Sequence, residues 1–419
     1  MKHFCKTVVF VAFVALLFTA GRAFTQTPSA EESSKSAALP ATVAHVYVQT
    51  HQGVDVYDAT AASKLTLVKG SPFPITGQMG GINGKYLISV GSTYLRSYVI
   101  EANGAVGKQV SIIDPESYGG GQCGVTNYNP GNGVTLDHTG KYFYFPLSES
   151  DACDAMQSYE IESNGRLLFL GDIEYSSFVN GNAWPSSPFT ISSNDKFAYG
   201  TFFDPDTFSF STFARAANGV LEVNERFAEK DPTVNPDGTA DGPWVYYPVY
   251  GPLQAADPAS HMAVLLGTES GGYDAANNGP YQLASYTIDD TTGAISSTNT
   301  WEDMPTPAVS GFLSMSISGK LLAVSGGGNQ QGMQLFHFNG AAPITPYTGL
   351  LLPDAYIQQI AWDSENHMYA MCDWTGDDLT AGQLHVFNAT PSSVTEAAGS
   401  PYRIANAYGV QGLIVVPQP

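Results

Sequence analysis

A chain of 419 residues with 38 acidic and 17 basic side chains has a formal net charge of −21. Nucleic acid and anionic membrane surfaces demand a basic footprint, which excludes both as partners. With 43 glycines, 26 prolines, many tyrosines and phenylalanines and 13% charged residues, the composition predicts short strands joined by tight turns.

The first 23 residues, "MKHFCKTVVFVAFVALLFTAGRA", place Lys2 and Lys6 before an apolar run from Thr7 to Phe18, then small residues ending at Ala23. This predicts a secretory signal peptide, too short to span a bilayer. Its removal takes Cys5, Lys2, Lys6 and Arg22 and leaves a charge of about −24. Residues 24–43, rich in Ser, Ala and Pro, read as a flexible leader. No later run is apolar enough for membrane insertion. The expectation is an exported protein, periplasmic or extracellular.

From residue 44 a unit recurs. An apolar residue is followed three positions later by an aromatic one: Val54/Tyr57, Leu95/Tyr98, Met156/Tyr159, Phe210/Phe213, Leu283/Tyr286, Met333/Phe336 and Leu384/Phe387. Most copies run into a polar turn such as "EANG", "ESNG", "AANG" or "DTTG" and a further strand. Most are preceded by a strand, a Gly-Lys-like turn and a strand, as in "GINGKYLISV", "VTLDHTGKYFYF", "SMSISGKLLAVS" and "IAWDSENHMYAM". Each unit is therefore four strands, a to d, and seven units predict an all-β, seven-bladed β-propeller over residues 44–419 as a single domain. The first unit opens on "HVYVQT", a strand b with no strand a before it. The last strand, "GLIVVP", is a strand a with no strand b after it, so it should complete blade 1 and close the ring. A β-sandwich does not account for seven copies with complementary ends, and β-helix repeats are shorter.

In such a ring the b–c loops and d–a connections share one rim, here the top; the a–b and c–d turns share the bottom. The long insertions all fall on the top, where function concentrates. Carboxylates there could perform acid–base work, and Glu149, Glu269 and Asp373 are the expected catalytic acids because each closely follows a strand b. His51, in the first b–c loop, is the one histidine expected on top and joins the expected catalytic residues as a candidate general base; His138, His261 and His367 belong to bottom turns. Trp184, Trp244, Trp374 and Tyr247 are expected to stack on a ligand, with Arg96 and Arg403 as the nearby cations. Lys85, Lys141, Lys196 and Lys320 sit in bottom turns, which argues against a phosphorylated ligand. No nucleophile-elbow pattern occurs, and no paired His or Cys has zinc spacing. The expectation is no cofactor and no metal, Ca²⁺ being the only ion the crowded carboxylates would suit. Cys123 and Cys153, both in top connections around blade 3, are expected to form a disulfide, leaving Cys372 as a free thiol.

The phrases "GSPF" (Gly70–Phe73) and "GSPY" (Gly399–Tyr402), with "HTGKYFYF", "SGKLLAVS" and "NGKYLISV", resemble the repeats of the lactonase-type, 6-phosphogluconolactonase-like propellers with YVTN repeats. The resemblance covers residues 44 to 419 and implies a hydrolase that opens a sugar lactone. Histidine-bearing segments often precede a strand a in that family. Here those segments read "NPGNGVTL", "WPSSPFTI", "YGPLQAAD" and "AVSGFLSM", without histidine. Two readings follow: a propeller that binds a carbohydrate-like or lactone ligand at the top-face channel mouth and hydrolyses it, or a non-catalytic scaffold binding a small molecule or an exported protein.

Overall fold

The computed structural model describes residues 41–118, 134–147, 155–174, 184–185, 189–204, 207–224, 246–248, 254–268, 282–303, 310–326, 332–373, 380–390, 392–409 and 412–418. Residues from Pro40 onward form one compact unit.

Seven antiparallel sheets carry the strands in simple a-b-c-d order. Blade 1 has b Thr42–Thr50, c Gly53–Thr60 and d Leu65–Leu67. Blade 2 comprises Gln78–Ile82, Tyr86–Val90, Leu95–Ile100 and Val106–Ile113. Blade 3 comprises Thr135–Leu136, Tyr142–Leu147, Ala155–Ile161 and Leu167–Glu174. In blade 4 strand a is split into Trp184–Pro185 and Thr190–Ile191, ahead of Phe197–Asp204, Thr207–Arg215 and Leu221–Val223. Blade 5 splits it likewise, Tyr246–Pro248 and Gln254–Ala256, before His261–Thr268, Gln282–Ile288 and Ile295–Asp303. Blade 6 is Ser310–Met315, Leu321–Gly326, Met333–His337 and Thr345–Pro346. Blade 7 is Ile357–Trp362, His367–Asp373 and Gly382–Thr390, with d in two pieces, Ser393–Glu396 and Tyr402–Ile404. Strand a of blade 1 is Leu413–Pro417, which pairs with Thr42–Thr50 from Val48↔Leu413 to Ala44↔Pro417. The ring is closed as the sequence predicts.

The core is a set of seams. Seven clusters of buried apolar side chains each join two neighbouring blades, including one between blades 7 and 1 that unites Val46 and Val48 with Met371, Leu384 and Ile404. The repeat signature encodes this packing. In a strand, residues three apart point to opposite faces. Leu95 accordingly enters the seam with blade 3 while Tyr98 enters the seam with blade 1. Leu283 and Tyr286, Met333 and Phe336, and Leu384 and Phe387 divide in the same sense. Both faces of a blade are buried, so one apolar and one aromatic residue per strand c tie it to both neighbours.

The polar c–d turns are docked as well. Tyr47, Ser97, Tyr144, Tyr199 and Ser285 each donate a hydroxyl to the turn glycine carbonyl of the next blade: Gly104, Gly165, Gly219, Gly293 and Gly340. Gly165 shows why the residue is glycine. Its φ is +83°, and a Cβ there would lie 2.4 Å from the Tyr86 ring. The "GSPF" and "GSPY" phrases mark where the outer strand leaves the ladder in blades 1 and 7. There Ser71 Oγ and Ser400 Oγ accept from Val56 N at 3.1 Å and Val386 N at 3.0 Å, replacing a strand partner.

Candidate site at the seam of blades 7 and 1

The innermost strands are irregular in their upper halves. Blade 2 has one extra residue between Met79 and Gly81, and blade 7 has one between Ile357 and Gln359; the inner strands of blades 4 and 5 are interrupted outright. Bulges of this kind re-aim side chains and collect beside functional sites.

The connection from blade 7 back to blade 1 crosses the top as a strap clamped from both sides. His51 N donates to Asn406 O at 2.8 Å, Tyr408 N to Thr380 O at 3.2 Å, and Gln49 N to Gly412 O at 2.8 Å. Gly412 needs its glycine: φ is +145°, and a Cβ would meet Gln49 Cβ at 2.6 Å. Beneath the strap Gln359 Oε1 accepts from Leu413 N at 2.6 Å, which fixes the start of the closing strand.

Two of the expected catalytic residues meet on this strap. Asp373 is the last residue of strand b in blade 7, and His51 occupies the b–c hairpin of blade 1. His51 Nε2 lies 3.1 Å from Tyr408 O, and Gly409 N donates to Asp373 Oδ1 at 2.9 Å. That carbonyl and that N–H belong to one peptide unit. The two side chains therefore flank a single peptide plane, no more than about 8.5 Å apart by standard backbone dimensions. A carbonyl only accepts, so Nε2 carries a proton and Nδ1 is the nitrogen left to exchange one with a ligand. Asp373 Oδ1 also accepts from Gln358 Nε2 at 2.6 Å, while its Oδ2 has no partner among the described residues.

Sequence reasoning missed Gln358, the extra residue of the blade 7 bulge, which is 2% exposed. The pair of glutamines in "IQQIAW", unusual in an inner strand, was the available signal. It also missed Asp55, which pairs in register with Val48 and so faces the same seam. Burial pushes the Asp55 carboxyl above the ordinary carboxylate range. Cys372, next to Asp373, is free and buried; burial first, then the Asp373 and Glu396 charges, push its thiol up to about 12, so it is no nucleophile at neutral pH.

The other expected residues are distributed as follows. Trp184 and Tyr247 fall in the upper pieces of the split inner strands, paired with Phe203 and Gly267. Arg96 stands two strands further out, on strand c of blade 2, 5.3 Å from the Tyr94 ring centroid. Arg403 is on the outermost strand of blade 7, exposed and paired with Gln383. The structure does not bring either arginine to the inner strands. Glu149, Glu269, Trp244, Trp374, Cys123 and Cys153 lie outside the described residues. No cluster of three His, Cys, Asp or Glu side chains suited to a metal occurs among the described residues. The bottom histidines are turn staples: His138 Nδ1 to Asp195 at 2.7 Å, His261 Nδ1 to Asp257 at 3.2 Å and His367 Nδ1 to Asp363 at 2.7 Å.

No family model and no curated protein matches the sequence. Solved structures do match the fold. A candidate 6-phosphogluconolactonase from Bacteroides fragilis NCTC 9343 superposes with a TM-score of 0.59 at 12% identity, over 90% of this chain and 98% of that one. A second, from Bacteroides uniformis ATCC 8492, gives 0.59 at 12% identity over 90% and 100%. The periplasmic gluconolactonase of Pseudomonas aeruginosa gives 0.59 at 14% identity, again over 90% and 100%. The chain thus has the fold of the lactonase-type seven-bladed propellers it resembles.

Proposed function

We propose that the top rim at the seam of blades 7 and 1 binds a neutral, hydroxyl-bearing lactone and opens it by adding water. One observation carries the reading: a single peptide unit, Tyr408–Gly409, orients His51 through its carbonyl and Asp373 through its N–H. Two acid–base groups set on either side of a rigid spacer are what water addition to an ester needs, one to take a proton and one to give it. Likeness to a gluconolactonase and to candidate 6-phosphogluconolactonases supports the substrate class. The unphosphorylated form is favoured because Lys85, Lys141, Lys196 and Lys320 all belong to a–b turns on the far face. The N-terminal segment, with Lys2 and Lys6 ahead of an apolar run, supports delivery to the periplasm or beyond.

The test is pH-stat hydrolysis of a lactone panel by wild type, His51→Gln and Asp373→Asn. Each substitution should lower kcat by about 100-fold or more with the fold intact. Full activity in both variants would move the site elsewhere on the rim. A wild type inert to every lactone favours the second reading, a binding propeller without chemistry. The exposure of His51 is the observation on that side, since an acid–base group works best when desolvated.

A further inference from the structure

Resting on that reading, we propose that Gln358 and Asp373 hold the attacking water between them, which makes Gln358 a positioning residue and Asp373 the general base. The Asp373 carboxylate only accepts, so the Gln358 amide nitrogen must face it, as the 2.6 Å contact requires. The amide oxygen is then left over. Gln358 Oε1 is buried and accepts from no donor among the described residues. Asp373 Oδ1 is taken by Gln358 Nε2 and Gly409 N, whereas Oδ2 is unpartnered among the described residues. Two acceptors without donors thus flank one hydrogen bond. Because an amide and a carboxyl group are small, those acceptors lie at most about 7 Å apart.

The missing partner must supply two donors from a small volume. Water has two, and a ligand hydroxyl only one. A water donating to Gln358 Oε1 and Asp373 Oδ2 keeps its lone pairs turned away from both, free to reach a lactone carbonyl on the rim. In the step that follows, the water oxygen bonds to the carbonyl carbon while its proton passes to Asp373 Oδ2. The tetrahedral intermediate collapses by breaking the ring acyl C–O bond. The departing ring oxygen takes a proton from Nδ1 of a protonated His51, giving the hydroxy acid. Exchange with solvent restores both residues.

The bulge explains why this residue can do it. A regular strand would send Gln358 and Gln359 to opposite faces. The extra residue lets Gln359 reach the closing strand while Gln358 reaches the top of strand b.

The experiment pairs an atomic-resolution crystal structure of the wild type with hydrolysis of glucono-δ-lactone by wild type and Gln358→Met. The structure should contain one ordered water within hydrogen-bond reach of both Gln358 Oε1 and Asp373 Oδ2. Gln358→Met should lose about 100-fold in kcat with KM changed less than about threefold. A wild type without the water, or a Gln358→Met protein that turns over at full rate, overturns the inference and leaves the proposed function standing. A wild type that hydrolyses no lactone sinks the proposed function first and this inference with it. Should Gln358→Met fail to fold, the crystal structure of the wild type still decides.

Discussion

His367 and His51 stand at opposite ends of the same seam, one beneath blade 7 and one above blade 1. At the bottom the chemistry is complete. Asp363 is fully buried, and its oxygens accept from His367 Nδ1 at 2.7 Å, Tyr369 OH at 2.9 Å, and the Glu365 and His367 N–H groups, both at 2.9 Å. At the top the same residue types are only partly satisfied. His51 is exposed and held through a backbone carbonyl, and among the described residues Asp373 keeps one oxygen without a partner and Gln358 buries an acceptor with no donor. A saturated buried group can only hold structure. An unsatisfied one beside a rim has capacity left for a ligand or a water. The contrast separates framework from site within a single seam.

The largest break in that contrast should come from exchanging the two aspartates' fates. Asp363→Asn replaces one acceptor oxygen with a donor facing the His367 and Tyr369 donors. It should cost about 3 kcal/mol of unfolding free energy, the upper end of the range for leaving buried hydrogen-bonding groups unsatisfied. Lactone turnover per folded molecule should be unchanged. Asp373→Asn should do the reverse, costing less than about 1 kcal/mol while removing activity. Urea denaturation alongside turnover measurements checks both. Equal stability losses in the two variants would erase the distinction drawn here.

A smaller effect is expected where a turn meets its neighbour. Gly165→Ala must place a Cβ 2.4 Å from the Tyr86 ring at a φ of +83°. The strain and the displaced ring should cost about 2 kcal/mol. The rim chemistry, on the other face of the ring, should keep its KM. A change in KM would mean that the blade 2–3 seam and the rim are coupled, and that the two faces are less independent than their hydrogen bonds suggest.

How far the sequence could carry this depends on range. Blades 2 to 7 were legible because each is specified within about 60 residues by local periodicity and turn chemistry, and blade 1 because its strands lie at complementary ends of the chain. The pairing of Leu95 with one seam and Tyr98 with the other follows from period-two geometry alone. Asp373 and His51 were legible as top residues for the same reason. Their meeting was not, because it runs through the Tyr408–Gly409 peptide, distant in sequence from His51. Gln358 was hidden more deeply: a bulge is a fact about register between two strands, and neither strand announces it. Arg96 and Arg403 show the converse error. They stand on strands c and d, away from the inner strands, and rim position says nothing about radius.

The smallest effect, and the one that isolates the seams from the rim, is alkaline. Burial pushes the phenols of Tyr47, Tyr57, Tyr144, Tyr199, Tyr286 and Tyr369 above their ordinary value of 10.0. In the unfolded chain these groups ionise near that value. Their contribution is therefore present in full below pH 10 and is lost as pH rises beyond it, because the unfolded state alone sheds the protons. At pH 11 each tyrosine that stays neutral in the fold costs about 1.4 kcal/mol. Several together approach the whole stability of a domain. Tyr286, fully buried and raised by burial alone, is the cleanest probe. Whatever Tyr286→Phe does at pH 8, the drop in unfolding free energy between pH 8 and pH 11 should be shallower by about 1.4 kcal/mol. An unchanged drop would mean that the alkaline loss is not set by phenols in the seams. Attention would then return to the rim, where the strap joins the first blade to the last.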